Sequence, residues 1–157
     1  MARHVDGDAQ RVAAVMDGRA QPDDQAANQA GRPYERVLIV EDEDVLRRII
    51  ARNLTGRGMR VREAVTADEA VAAVLAERPD LMLLDINLPD RSGWDVLREL
   101  RQRGAEVPTI VVSAVRVGQS RLAEFHPLAY LPKPFPLEAL LRLVLGDTPR
   151  EAEAEGR

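Results

Sequence analysis

Residues 81–84, Leu-Met-Leu-Leu, form an unbroken apolar run that ends in Asp85, with Pro79-Asp80 before it and Pro89-Asp90 after it. Four consecutive apolar residues between turn formers leave no polar face. The run therefore reads as a strand covered on both sides, the kind found in the middle of a parallel sheet. Such a strand needs helices on both faces of its sheet, which narrows the fold to an α/β arrangement. Asp85 then stands at the carboxyl end of a central strand, where open α/β sheets place their ligand sites. The residues of this stretch alone leave two readings of Asp85: a reactive carboxylate, or a cap on the following turn, a job that aspartate does well.

The rest of the chain supplies the elements this strand requires. Val37-Leu38-Ile39-Val40 is a second apolar run, leading directly into Glu41-Asp42-Glu43-Asp44. Val45, Leu46, Ile49, Ile50 and Leu54 then recur at helical spacing, which predicts a helix with Arg47, Arg48 and Arg52 on its other face, ended by Gly56 and Gly58. Carboxylates near a helix N-terminus are favourable, but four in succession repel one another, and a bound cation would relieve that. Residues 59–65 alternate as a modest strand. Thr66 with Glu69 resembles a capping box opening a helix over about 68–77, with Ala70, Val71, Val74 and Leu75 inward. A helix is expected over 93–103, buried through Trp94, Val96, Leu97 and Leu100, then a strand Thr109-Ile110-Val111-Val112 ending in Ser113-Ala114. A weak helix over 119–125, a short strand Tyr130-Leu131 running into Pro132-Lys133-Pro134-Phe135, and a helix over 136–145 stopped by Gly146 complete the pattern. Five strands alternating with five helices give a doubly wound α/β domain with a parallel sheet, expected over 36–146. Residues 1–35 are polar and read as a disordered extension with a transient helix near Ala9–Met16; residues 147–157 read as a charged, frayed tail.

Composition excludes several chemistries. The chain has no cysteine, so disulfides, thiolate metal sites and thiol nucleophiles are ruled out. Its two histidines, His4 and His126, stand apart from other candidate ligands, which argues against a histidine metal site or a Ser-His-Asp triad. A net charge of -4 offers no basic footprint for nucleic acid. No apolar run reaches membrane-spanning length, and the first residues lack a secretory signal, so a cytoplasmic location is expected.

Four of the five strand signals end in a residue suited to phosphate or metal chemistry: Glu41 and Asp42 after the first, Asp85 after the third, Ser113 after the fourth, Lys133 after the fifth. In a parallel sheet these ends share one edge. Three carboxylates without histidine or cysteine suit a hard cation such as Mg²⁺. A hydroxyl and an ammonium opposite it are what a transferred phosphoryl group needs, and an aspartate can serve as nucleophile to give an acyl phosphate.

The segments VLIVEDE (37–43), LLDINLPDRSGWDVL (83–97), VVSA (111–114) and YLPKPF (130–135) together resemble the receiver domain of bacterial two-component response regulators. The resemblance implies a flavodoxin-like (βα)5 fold with a five-stranded parallel sheet. It implies that Asp85 is the phosphoryl acceptor, that Glu41 and Asp42 hold Mg²⁺ together with Asp85, and that the backbone carbonyl of Asn87 completes the metal site. Ser113 matches the hydroxyl that swings onto the phosphoryl group, the Ala114 amide adds a contact, and Lys133 matches the lysine that pairs with a phosphoryl oxygen. Lys133-Pro134 resembles the family's cis peptide. Tyr130 matches the aromatic switch residue, with half-buried packing as the structural alternative. The implied donor is a sensor histidine kinase or phosphotransfer protein. The implied output is a downstream target protein bound on the face of the fourth helix, fifth strand and fifth helix.

Two features depart from the family pattern. The segment from Ser113 to Lys133 is short and carries Gly118 and Pro127, so a short or loose fourth helix is expected, and Val115 is apolar where many relatives are polar. The overall expectation is a stand-alone receiver, monomeric or weakly dimeric, without direct DNA binding or membrane contact. It would assist its own phosphorylation and dephosphorylation rather than act as an enzyme. The alternatives are a degenerate receiver that serves as a phosphorylation-independent interaction module, and a Mg²⁺-dependent phosphohydrolase using an aspartyl nucleophile.

Overall fold

The central run folds as expected. In the computed structural model, which describes residues 33–146, Leu81–Asp85 forms strand β3, and all five of its residues are buried. The other strands are β1 (Arg36–Val40), β2 (Arg60–Ala64), β4 (Thr109–Ser113) and β5 (Ala129–Pro132). They form one parallel sheet in the order β2-β1-β3-β4-β5, so β3 is central. The register pairs Val40 with Leu84 and Asp85 with Val112, which aligns the carboxyl ends of β1, β3 and β4. The chain order reverses direction between β1 and β3, the switch point where such sheets open a crevice.

The helices are α1 (Asp44–Gly56), α2 (Ala67–Ala76), α3 (Gly93–Gln102), α4 (Gln119–Phe125) and α5 (Leu137–Leu145). Residues Tyr34–Phe135 form one compact unit containing the whole sheet, and α5 belongs to a second. Within α5, Leu140, Leu141 and Val144 are buried, and the helix ends at Gly146, whose left-handed φ of 79° suits a residue without a side chain. The expected extension, with its transient helix near Ala9–Met16, lies outside the described residues up to residue 32, as does the expected tail 147–157.

Two helix faces differ from expectation. In α1 the buried stripe is Arg47, Ile50 and Leu54, whereas Val45 is 73% exposed and Ile49 44% exposed. The expected outward placement of Arg47 is thus corrected. A buried guanidinium is tolerated only when paired, and Arg47 binds the carbonyl of Glu41 and the carboxylates of Asp44 and Glu63. In α2, Leu75 is 47% exposed, and the inward face is made of Ala67, Ala70, Val71, Ala73 and Val74. These small side chains join Leu38, Val40, Met82, Leu84, Val96 and Leu100 in the main core cluster.

Two of the five helix starts, those of α2 and α3, carry side-chain caps. The Thr66 hydroxyl accepts the Glu69 N–H at 3.1 Å, as its spacing predicts. The full reciprocal capping box falls elsewhere, at Ser92 and Asp95 of α3. Helix α4 spans the expected residues and has no buried one.

Candidate functional site

Asp85 ends β3 with its side chain almost enclosed, the residue being 4% exposed. One carboxylate oxygen, Oδ1, accepts the N–H of Asn87 at 3.1 Å; the other, Oδ2, accepts Lys133 Nζ at 3.2 Å. The next strand over, β1, ends at Val40 and hands the chain to Glu41, which is also buried. Glu41 Oε1 lies 2.7 Å from Lys133 Nζ, and Oε2 accepts the N–H of Glu43 at 3.1 Å. Asp42 is exposed, yet it, Glu41 and Asp85 each offer an oxygen within 4.8 Å of the others.

Lys133 reaches this cluster from the far side of the sheet. Its backbone N–H donates to the Ser113 carbonyl at 2.8 Å, which ties the chain beyond β5 to the end of β4. Its ammonium also meets Glu43 Oε1 at 3.3 Å. Burial opposes its charge, but the hydrogen bond to Glu41 and the charges of Asp85 and Glu41 outweigh that and hold Lys133 above the usual lysine range. Glu41 is pushed up to about 7. Desolvation is the main cause, Asp85 adds to it, and Lys133 and the Glu43 amide oppose it. Like charges gathered in a desolvated pocket are what a cation stabilises, and an all-oxygen donor set fits a hard divalent ion.

Ser113 is buried at the end of β4, and its hydroxyl accepts the N–H of Val115 at 3.0 Å. Tyr130 is half-buried in β5 and packs against Ile86, Trp94 and Val111. Its hydroxyl donates to the carbonyl of Val115 at 3.4 Å, so both hydroxyls meet the backbone of one residue. Ala114 is exposed beside them. Asn87 lies two residues past Asp85, and the Lys133-Pro134 peptide is cis.

Several contributors escaped the sequence reading. Gly93 packs beneath the site so closely that a Cβ there would stand 2.6 Å from the Asp85 carbonyl oxygen and 2.9 Å from Ile86 Cα. Asp90 accepts the N–H groups of Ala67 and Asp68 at 2.8 and 3.0 Å, which joins the loop after Asp85 to the start of α2. The sequence shows Glu43 only as part of an acidic run and Arg47 only on the polar side of a helix. A signal for Arg47 was present, since 47, 50 and 54 share one helical stripe.

A parallel sheet that gathers buried carboxylates onto one lysine at its switch point defines a receiver-type signalling switch. The chain belongs to that family: the response regulator receiver domain model matches residues 37–145. The KDP operon transcriptional regulatory protein KdpE of Escherichia coli K12 is 44% identical over 114 residues, covering 69% of this chain and 50% of that protein. This chain therefore spans about half the length of the curated relatives it matches. The non-phosphorylated HemR receiver domain from Leptospira biflexa aligns with a TM-score of 0.65 at 29% identity, over 73% of this chain and 96% of that one. The response regulator TrrA from Thermotoga maritima, solved in complex with Mg²⁺ and BeF, aligns with a TM-score of 0.60 at 28% identity, over 69% and 94%. Among the described residues no helix is long and apolar enough to cross a membrane.

Proposed function

We propose that this chain is a phospho-accepting switch in which Asp85 takes a phosphoryl group from a phosphohistidine on a sensor kinase or phosphotransfer protein. The observation that carries the reading is the shared grip of Lys133 on Asp85 and Glu41, at 3.2 and 2.7 Å, within the matched receiver segment. An Asp85 oxygen attacks phosphorus in line, the bond to the donor nitrogen breaks, and an acyl phosphate forms. Glu41, Asp42, Asp85 and the Asn87 carbonyl are the groups that would hold Mg²⁺, which when bound supplies positive charge for the phosphoryl oxygens. Lys133, already on Glu41 and Asp85, supplies further positive charge, and the buried sheet edge limits the access of water.

The switch then runs through Val115. When the Ser113 hydroxyl turns to donate to a phosphoryl oxygen, it releases the Val115 N–H. The loop that also holds the Tyr130 hydroxyl is freed, and Tyr130 and α4 change position together. The Ala114 amide lies beside this path as a further phosphoryl contact. The outcome is altered binding of a target protein on the surface of α4 and β5.

Incubation with acetyl phosphate and Mg²⁺, read by intact mass, tests the acceptor. Wild type gains one phosphoryl group and Asp85→Asn gains none; a labelled Asp85→Asn overturns the assignment. An unlabelled wild type supports the phosphorylation-independent module, and continuous release of phosphate supports a phosphohydrolase. Similarity to a transcriptional regulatory protein favours a second output, control of transcription. A target protein retained only by the beryllofluoride-treated chain supports protein contact; a promoter fragment shifted by the treated chain alone supports DNA.

A further inference from the structure

Arg47 is a charged residue that the folded chain encloses, at 8% exposed, outside the set of groups that face the phosphoryl site. Enclosing a guanidinium is costly unless its donors are met, so its partners show what it is placed to hold. Nη1 donates to the backbone carbonyl of Glu41 at 3.0 Å, Nη2 to Asp44 at 2.6 Å, and Nε to Glu63 at 2.9 Å.

The carbonyl of Glu41 belongs to the peptide that joins Glu41 to Asp42. Fixing that peptide plane fixes the directions in which both acidic side chains leave the backbone. The N–H of Glu41 is held as well, by the carbonyl of Ala64 at 3.0 Å. Glu63, which anchors Arg47, is the residue just before Ala64 on β2. Glu41, Arg47, Glu63 and Ala64 thus close a ring that grips Glu41 by its N–H and its C=O and refers both to the same strand.

We propose that Arg47 is a positioning residue for the cation site. It sets the Glu41–Asp42 peptide so that the two carboxylates meet Asp85 at ligand spacing before any cation arrives. This rests on the reading of Glu41, Asp42 and Asp85 as a Mg²⁺ site. Groups behind the direct ligands of a metal typically account for about 10- to 100-fold in its affinity, and the ring assigns Arg47 to that range.

The test is calorimetric titration of the full chain with MgCl₂, well below the melting temperature of each variant. Arg47→Met keeps the length of the side chain and removes its donors. Its Mg²⁺ Kd is expected to rise about tenfold or more, and Arg47→Lys to recover only part of that loss. In the metal-free chain, amide exchange should quicken at residues 42–44 and stay unchanged in β3. Phosphorylation by acetyl phosphate should return toward the wild-type rate at saturating Mg²⁺. Should Arg47→Met fail to fold, Glu63→Gln breaks the anchoring charge on an exposed side chain, and a several-fold weaker Kd is expected. An unchanged Kd in folded Arg47→Met, or in Glu63→Gln where that variant stands in, overturns the positioning role. A wild-type chain with no saturable Mg²⁺ binding overturns the cation site itself, and the positioning role with it.

Discussion

The two flanks of β3 are built to different standards. On the β1 side, α1 is 13 residues long and buries Ile50 and Leu54, and the acidic loop before it is gripped through the Glu41 backbone, the Arg47 fork and Lys133. On the β4 side, α4 has seven residues and none is buried. Phe125 stacks on Trp94 of α3 at 5.3 Å between ring centroids and 18° between planes, Arg98 and Arg101 lie over the Phe125 ring, and Arg121 lies over Trp94. A stacked aromatic pair contributes about 0.5–1.5 kcal/mol beyond burial, and an exposed cation–π contact about 0.5–1 kcal/mol. A hydrogen bond to a charged group is worth about 1.5–3 kcal/mol, so one such bond from Ser113 to a phosphoryl group competes with what holds α4. The difference is one of anchoring: the β1 flank is fixed by buried apolar and ionic contacts, whereas α4 buries no residue and is held through a few ring and cation contacts.

Leu84→Ala, at the buried centre both flanks share, should cost about 2–5 kcal/mol in urea unfolding and loosen both sides alike. A cost below about 1 kcal/mol would mean that β3 is not the common rigid frame. Gly93→Ala comes next, at about 1–3 kcal/mol, because the new Cβ meets backbone atoms beneath Asp85 that cannot swing aside. Its phosphorylation rate should fall as the Asp85 carbonyl is displaced, and a wild-type rate would show that the frame yields without cost. Phe125→Leu should cost only about 1 kcal/mol. It should speed amide exchange across 119–126 while leaving α1 untouched; equal quickening in α1 would erase the contrast between the flanks.

The smallest effect is expected at Asp80, at the opposite end of β3 from the site. The Arg36 N–H foremost, and the Glu35 N–H with it, hold its carboxyl below the usual carboxylate range. A depressed folded value stabilises above the unfolded pKa of about 3.9 and loses that contribution as pH falls through the folded value. The stability difference between wild type and Asp80→Asn should be constant near neutrality and shrink below about pH 4. A difference that grows with acid would reverse the sign.

The sequence read best where burial is symmetric. Leu81–Asp85 and Thr109–Ser113 are enclosed on both faces, so every residue reports the same environment and the run is legible without knowledge of its neighbours. It read worst where a helix packs one face, because apolar spacing allows more than one stripe. Val45 and Ile49 satisfied the period as well as Arg47 did, and the partners that meet the Arg47 donors, the Glu41 carbonyl, Asp44 and Glu63, go with its place in the interior. Gly93 was invisible for a related reason: a glycine opening a helix looks ordinary until Asp85 and Ile86 are seen passing beneath it.

What the chain determined by itself was the alternation of strands and helices, the short fourth helix, and the residue types at the strand ends, since these follow from local propensity and period. The tertiary structure decided the order β2-β1-β3-β4-β5 and the meeting of Glu41, Asp85 and Lys133 on one ammonium. It also joined Ser113 to Tyr130 through Val115. Apart from the local Ser113–Val115 bond, those are contacts between residues distant in the chain. Their distances are set by sheet register and side-chain reach, which no local pattern encodes.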